Sequence, residues 1–248
     1  MHKSSMLRME WFVNTYLQNC EGNCTIVDLG SQCVVGQEDT YRKFFKHKSI
    51  DYVGVDMVAG HNVDIVLSTP YDWKEISDDY CDVLICGQVF EHIEFPWVTI
   101  KEISRIVKPD GLICIIVPSM QELHRYPVNT YNYFADGMLA LCKWAGILPL
   151  HCSTGLAPRG ESTDFYSSHA DTMLIAKNTK STYKELDLSQ YQCEPADLDK
   201  ISTKFISVNK QPYYKKYLVN KVLYFVGGLL KRRANKAFLS IKNLFYKR

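Results

Sequence analysis

The stretch TIVDLGSQCVVG, residues 25–36, joins an apolar, β-prone run to an acid, a glycine and a loop of small residues, and the polar segment EDTYRKFFKH follows at 38–47. This order specifies a strand, a tight turn and the start of a helix. A second apolar run, YVGVD at 52–56, ends in Asp56, twenty positions beyond Gly36. A glycine at the first turn lets the backbone approach a ligand closely, and a carboxylate at the tip of the next strand can accept hydrogen bonds from both hydroxyls of a ribose. The pair points to a nucleoside-containing ligand. Only Gly30 and Gly36 of a full GxGxxG-type fingerprint are present, so the stretch also fits an ordinary turn of a doubly wound domain.

Working outward, helical spacing of Leu7, Trp11, Phe12, Tyr16 and Leu17 predicts an amphipathic helix over 5–19 ahead of the first strand. A crossover helix is expected over 37–47. Strand VDIV (63–66) and strand-turn CDVLICGQVFEHI (81–93) follow, then a helix over 97–107 with Trp97, Ile100, Ile103 and Val107 on one face. Lys108-Pro109-Asp110-Gly111 turns the chain into the buried-type strand GLICIIVP (111–118). A helix over 133–145 carries Phe134, Met138, Leu141 and Trp144 and stops at Gly146, and TMLIAKN (172–178) is the last strand expected. Strands alternating with helices give a mainly parallel sheet covered on both faces, with ligands at the carboxyl ends of its strands.

The 248 residues, 46% hydrophobic and 23% charged, suffice for one well-buried α/β domain with a remainder. Nine cysteines form no CxxC pair, and Cys86 and Cys114 fall inside apolar runs, where a thiol serves as a small hydrophobe. That usage favours a reducing cytoplasm over a disulfide framework or a zinc site, and MHKSSMLRMEWF lacks the apolar core of a signal peptide. The net charge of +2 conceals a division: residues 204–248 hold twelve basic residues and no acidic one, so the remainder is at −10. The expected organisation is a domain at 1–178, a polar linker at 179–203 and a basic amphipathic helical tail at 204–248.

Taken together, DLGSQCVVGQEDTYR (28–42), VGVDMVAGHNVDIV (53–66), EHIEFPWVTIKEISRIVKPDGLICIIVP (91–118) and HRYPVNTYNYFADGMLAL (124–141) resemble the class I S-adenosylmethionine-dependent methyltransferases of the type 11 group, over about residues 25–146. They are similar above all to bacterial members associated with glycan and cell-surface polysaccharide synthesis. The resemblance implies a doubly wound, mainly parallel, seven-stranded Rossmann-like sheet with its final strand antiparallel, and S-adenosyl-L-methionine as cofactor. It implies that Asp28, Gly30, Ser31 and Gly36 line the methionine part of the cofactor. Asp56 would then bind ribose, Met57 pack on adenine, and Gly87 and Gln88 lie near the methionine moiety. Val35 stands where those relatives carry Asn, and Ser68-Thr69 where an acid often meets the adenine amino group, so a looser adenine site is expected around Thr69. Asp28 also fits a buried acid satisfied by backbone N–H groups of its own turn.

Methyl transfer from a sulfonium is an in-line displacement on carbon, and a hydroxyl acceptor gains from a general base near the operating pH. PSMQELHRYPVNTYNYF (118–134), just past the fifth strand, is the densest cluster of suitable groups. His124 is the expected base, with His92 of the Glu91-His92 pair as second candidate, and Arg125, Tyr126, Tyr131 and Tyr133 are the expected acceptor contacts. The alternative for this loop is a surface connection with its aromatics packed on the next helix. No spacing suggests a metal. In the tail, VLYFVGGLL (222–230) is far short of a membrane span, and its basic, apolar alternation fits an interfacial helix on anionic lipid better than a nucleic-acid arm. A helical hairpin packed on its own domain or in a homodimer is the other reading of the tail. The function expected is O-methylation of a glycan or lipid-linked saccharide precursor at the cytoplasmic membrane face. Its alternatives are a scaffold that keeps the fold without catalysis, and methylation of a small-molecule amine or quinone-like lipid.

Overall fold

The computed structural model describes residues 3–18, 23–33, 39–46, 49–155 and 170–180. Their ten main elements, in chain order, are α1 (Lys3–Tyr16), β1 (Cys24–Leu29), β2 (Ile50–Asp56), β3 (Ile65–Val66), β4 (Cys81–Gly87), α2 (Pro96–Ile106), β5 (Val107–Met120), α3 (Ala135–Ala145), β6 (Leu148–Gly155) and β7 (Ala170–Lys177). The strands form one seven-stranded sheet of order β3-β2-β1-β4-β5-β7-β6. Pairings among β1 to β5 are parallel, whereas β7 runs antiparallel to both β5 and β6. This is the doubly wound, Rossmann-like sheet of the class I methyltransferase fold.

Its central strands are apolar at consecutive positions because both faces are covered. Leu84 and Cys86 of β4, with Ile113 and Ile115 of β5, pack with Ile100 and Ile103 of α2 and with Met138 and Leu139 of α3. Their neighbours Val83, Ile85, Cys114 and Ile116 point the other way and pack with Met9 and Phe12 of α1. Cys86 and Cys114 are free and fully buried, one in each layer, as small hydrophobes. Burial pushes both thiols up, out of the nucleophilic range.

Three expectations need correction and one needs completion. The segment expected as a crossover helix over 37–47 is, within 39–46, a single 3-10 turn at Tyr41–Phe44. Long-range anchors hold it there: the buried Tyr41 hydroxyl bonds to Ser5, and Phe45 packs on Tyr52 at 5.6 Å between ring centroids. The six strands named from the sequence leave the seventh of the implied sheet unplaced; it is β6, at the sheet edge, where Pro149 is tolerated, and the ladder slips between Pro149 and His151. In α2 the buried face comprises Thr99, Ile100, Ile103 and Ile106, with Trp97 turned outward. Phe134 precedes α3 as its N-cap and is exposed, whereas Gly146 ends that helix at φ 68°, as expected. Gly36 and Val35, the rest of the 179–203 linker beyond Lys180, and the 204–248 tail lie outside the described residues.

The parallel register brings the ends of β1, β2, β4 and β5 to one edge. Leu29 pairs with Val55 and Cys86, and Gly87 with Ile116, so the loops opening at Gly30, Asp56, Gly87 and Met120 all emerge together. Gly87 is wedged against the buried Tyr41: a Cβ there would lie 2.0 Å from the phenol oxygen. Gly87→Ala is therefore expected to cost roughly 1–3 kcal/mol through overpacking, read as a lower denaturant midpoint with an unchanged slope.

Candidate active site

The carboxyl edge divides into a half built by β1 and β2 and a half built by β4 and β5. In the first, Gly30 adopts φ 79°, and a Cβ on it would sit 2.1 Å from Cγ2 of Val89, so the β1 turn closes directly on the β4 loop. Asp56 is held by three backbone amides: Oδ2 accepts from Gln32 at 3.0 Å, and Oδ1 from Met57 at 2.7 Å and Val58 at 3.3 Å. A carboxylate has about four lone-pair sites, so one acceptor position stays open beside a weak third bond, which suits a ribose diol. Met57, 41% exposed, follows it as an apolar surface for a base.

Asp28 lies beneath this half. Its partner is the Tyr52 hydroxyl, not the amides of its own turn. The Tyr52 ring in turn carries the Arg42 guanidinium 4.5 Å above its centroid, and Arg42 pairs with Asp64 at 2.9 Å. Burial pushes the Asp28 carboxyl up to about 7, against the opposing pull of the Tyr52 bond and of Arg42. Thr69 uses its hydroxyl on its own turn, accepting from Tyr71 N at 3.3 Å, while Glu75 brings a carboxylate oxygen 3.0 Å from Ser68 N. An acid thus reaches the Ser68-Thr69 turn, from a position that sequence spacing did not indicate.

Three further observations bear on a cofactor. Gln88 occupies the left-handed region at φ 60°, donates from Nε2 to Asp171 at 3.1 Å, and keeps a buried Oε1 with no partner among the described residues. The Ser31 hydroxyl is likewise buried without a partner there, facing Gly54. A ligand ammonium and carboxylate of the methionine type would supply what these two groups lack. Asp171 was not foreseen as a site residue: it lies in β7, far from any motif, and also accepts from Ser4 of α1 at 2.5 Å.

In the other half, segment 121–134 is stitched to the turn after β4. Thr130 donates to the Glu91 carbonyl from N at 2.7 Å and from Oγ1 at 2.9 Å, and the Tyr131 hydroxyl donates to Glu94 O at 3.1 Å. Nδ1 of His92 lies 2.6 Å from Val128 O. A carbonyl only accepts, so Nδ1 carries the proton and the Nε2 lone pair remains for chemistry. Burial holds the His92 imidazole below its ordinary range. The His124 ring stands edge-on to His92 with centroids 5.0 Å apart, and Tyr126 lies 6.4 Å from His92. Both candidate bases thus stand side by side although 32 positions separate them.

Tyr126, Tyr131 and Arg125 are exposed on this segment. Tyr133 is not available in the same way: it is buried, and its hydroxyl donates to Phe90 O at 3.1 Å. Glu91 is fully buried below His92, with neither carboxylate oxygen hydrogen-bonded among the described residues, and desolvation pushes it up to about 8.

Residues 15–115 match the family model of the methyltransferase domain. Over that stretch, and in its fold, the chain matches a class I S-adenosylmethionine-dependent methyltransferase domain. No curated protein matches the chain. Among solved structures, the methyltransferase fold is similar to that of a putative methyltransferase from Bacillus halodurans (12% identity, 71% of this chain and 99% of that one, TM-score 0.51). It is similar also to a 1,6-didemethyltoxoflavin-N1-methyltransferase from Burkholderia thailandensis (15% identity, 71% and 80%, TM-score 0.51). The [4+2]-cyclase SpnF shares the fold as well (14% identity, 69% and 80%, TM-score 0.51), so at such distances the likeness speaks for architecture and leaves the acceptor to the site.

The Asp28 environment gives a pH dependence. The folded domain keeps this proton up to about pH 7, whereas an unfolded chain releases it near 4. The group's contribution to stability is therefore greatest below pH 4, falls as pH rises towards 7, and is constant above. Asn at this position can still accept from Tyr52. Asp28→Asn should gain on the parent protein by roughly 1–3 kcal/mol between pH 4 and pH 7, measured as the difference of their unfolding free energies.

Proposed function

We propose that the chain transfers the methyl group of S-adenosylmethionine to a hydroxyl of a saccharide-bearing acceptor, a glycan or lipid-linked precursor, at the cytoplasmic face of a membrane. The observation that carries the acceptor assignment is the pairing of His92 and His124 at 5.0 Å above the buried Glu91, beside the exposed rings of Tyr126 and Tyr131. An imidazole with a bare Nε2, as His92 presents, meets the need of a hydroxyl, which must lose its proton as it attacks. Exposed aromatic faces with polar tips suit sugars, which present apolar ring faces ringed by hydroxyls.

The cofactor supplies an electrophilic methyl group on a sulfonium. The residues that would hold it are Asp56 and Met57 at the nucleoside end, with Gly30, Ser31 and Gln88 at the amino-acid end. Val89, closed against Gly30, ties these groups to the acceptor side, so both substrates are aligned by one set of loops. The Asp56→Ala variant should keep its circular dichroism and bind S-adenosylmethionine roughly 1–3 kcal/mol more weakly by calorimetry. Equal affinity would remove Asp56 from the site.

Acceptor chemistry is tested with methyl-labelled cofactor offered to lipid-linked saccharides, free glycans, amines and quinols. The reading requires label in a saccharide as a base-stable methyl ether. Label in an amine or a quinol would overturn it.

The membrane address rests on the twelve basic and no acidic residues of 204–248, against −10 for the remainder. The intact chain should sediment with anionic vesicles at low salt and not with zwitterionic ones. Binding should weaken with added salt, as about 1 kcal/mol per basic residue is screened, without vanishing. Indifference to anionic vesicles at low salt would contradict the address.

A further inference from the structure

We propose that Glu91, His92 and His124 form a binding site for a divalent transition-metal ion of the zinc type. One ligand atom from each lies within 4.8 Å of the other two, and Glu91 Oε1 is 3.8 Å from His92 Nε2. The Glu91 carboxylate is aimed into this cluster while fully buried and without a hydrogen-bond partner among the described residues. A buried carboxyl is costly to ionise unless a cation meets it, and no lysine or arginine is paired with this one among the described residues. A cation between it and the imidazoles supplies that partner.

The surroundings of His92 fit the same purpose. Its Nδ1–H bond to Val128 O fixes the ring and aims the Nε2 lone pair at the cluster, the arrangement that metal-bound histidines commonly have. Two nitrogens and one oxygen suit zinc, cobalt or manganese, whereas calcium and magnesium prefer all-oxygen sets. Bonds of about 2.1 Å in a tetrahedron place ligand atoms about 3.4 Å apart, so closure requires small rotations. The exposed His124 can supply them, while Glu91 and His92 come from one turn and start closer. Three protein ligands leave a coordination position open for water or an acceptor hydroxyl; with the ion bound, it and not the coordinated imidazoles would promote loss of the hydroxyl proton, a role that rests on the hydroxyl reading above.

The test is a cobalt(II) titration of the intact, tag-free, metal-free chain by absorption spectroscopy, with S-adenosylmethionine binding measured on the same samples. The proposal requires one saturable equivalent with d–d bands of a nitrogen–oxygen ligand set and no thiolate charge-transfer band, since the chain has nine cysteines. Glu91→Gln and His124→Ala should each weaken cobalt binding by at least about tenfold while cofactor affinity is kept. His124 is exposed, so its variant remains informative should the buried substitution disturb folding. Absence of saturable binding, a thiolate signature, or undiminished binding in His124→Ala would overturn the site. A chain that binds cobalt as required but no cofactor would instead defeat the methyltransferase reading and leave the metal site standing.

Discussion

The proposed acceptor half of the site depends on one set of hydrogen bonds, those by which Val128 and Thr130 grip the turn that follows β4. Two donors from Thr130 converge on the Glu91 carbonyl, and the Val128 carbonyl accepts from the His92 Nδ1–H. Without them, segment 121–134 would be an exposed connection with no reason to place His124 anywhere in particular. With them, a loop rich in polar and aromatic side chains is fastened to a turn whose own backbone belongs to the rigid centre of the sheet. The tautomer of His92 follows from the same bonds. Geometry and protonation are therefore set together, as a site needs when its task is alignment.

The rigidity behind that turn comes from packing on both faces of β4. Leu84 and Cys86 face one helical layer and Val83 and Ile85 the other, so no rotation or slip of the strand is tolerated. Gly87 and Gln88, the next residues, inherit this order and are fixed further from α1. Tyr41, bonded to Ser5, lies against Gly87, and Asp171, bonded to Ser4, receives Gln88. The first helix thus acts on the carboxyl edge of the sheet through two relays although it carries no cofactor motif. Arg8 of the same helix, fully buried, donates to the backbone of Gly155 at 2.5 Å and of Asp171 at 3.2 Å, which ties β6 and β7 into the relay.

The parts of this architecture that were legible in the sequence are those where local chemistry and tertiary demand coincide. The apolar runs ending at Leu29, Asp56 and Gly87 are strands by composition and by burial alike, and Gly146 stops α3 because its φ of 68° suits glycine. Legibility fails where a distant contact decides. The 39–46 segment has helical spacing, yet Tyr41 and Phe45 are drawn to different neighbours and only one turn forms. Strand β6 carries Pro149, acceptable only because the strand is an edge. Among the candidate site residues, Asp56 lies at the end of β2 and His92 in the turn after β4, where the sequence placed them. Tyr133 looked like its neighbour Tyr131, but the step of two residues carries one ring outward and the other into the core. Glu75, Asp171 and the meeting of Glu91 with His124 could not be read at all, since each depends on loops brought together by the fold.

The central claim is that the cofactor edge and the histidine pair are one site. It is tested most directly by nitrogen-detected NMR of the histidine rings in the intact, metal-free chain, before and after adding S-adenosylhomocysteine. The expected spectrum shows His92 protonated at Nδ1 and bare at Nε2, in through-space contact with the His124 ring, and both signals move when the ligand binds. Ligand binding that leaves the two rings unmoved, or rings that show no contact, would contradict the account.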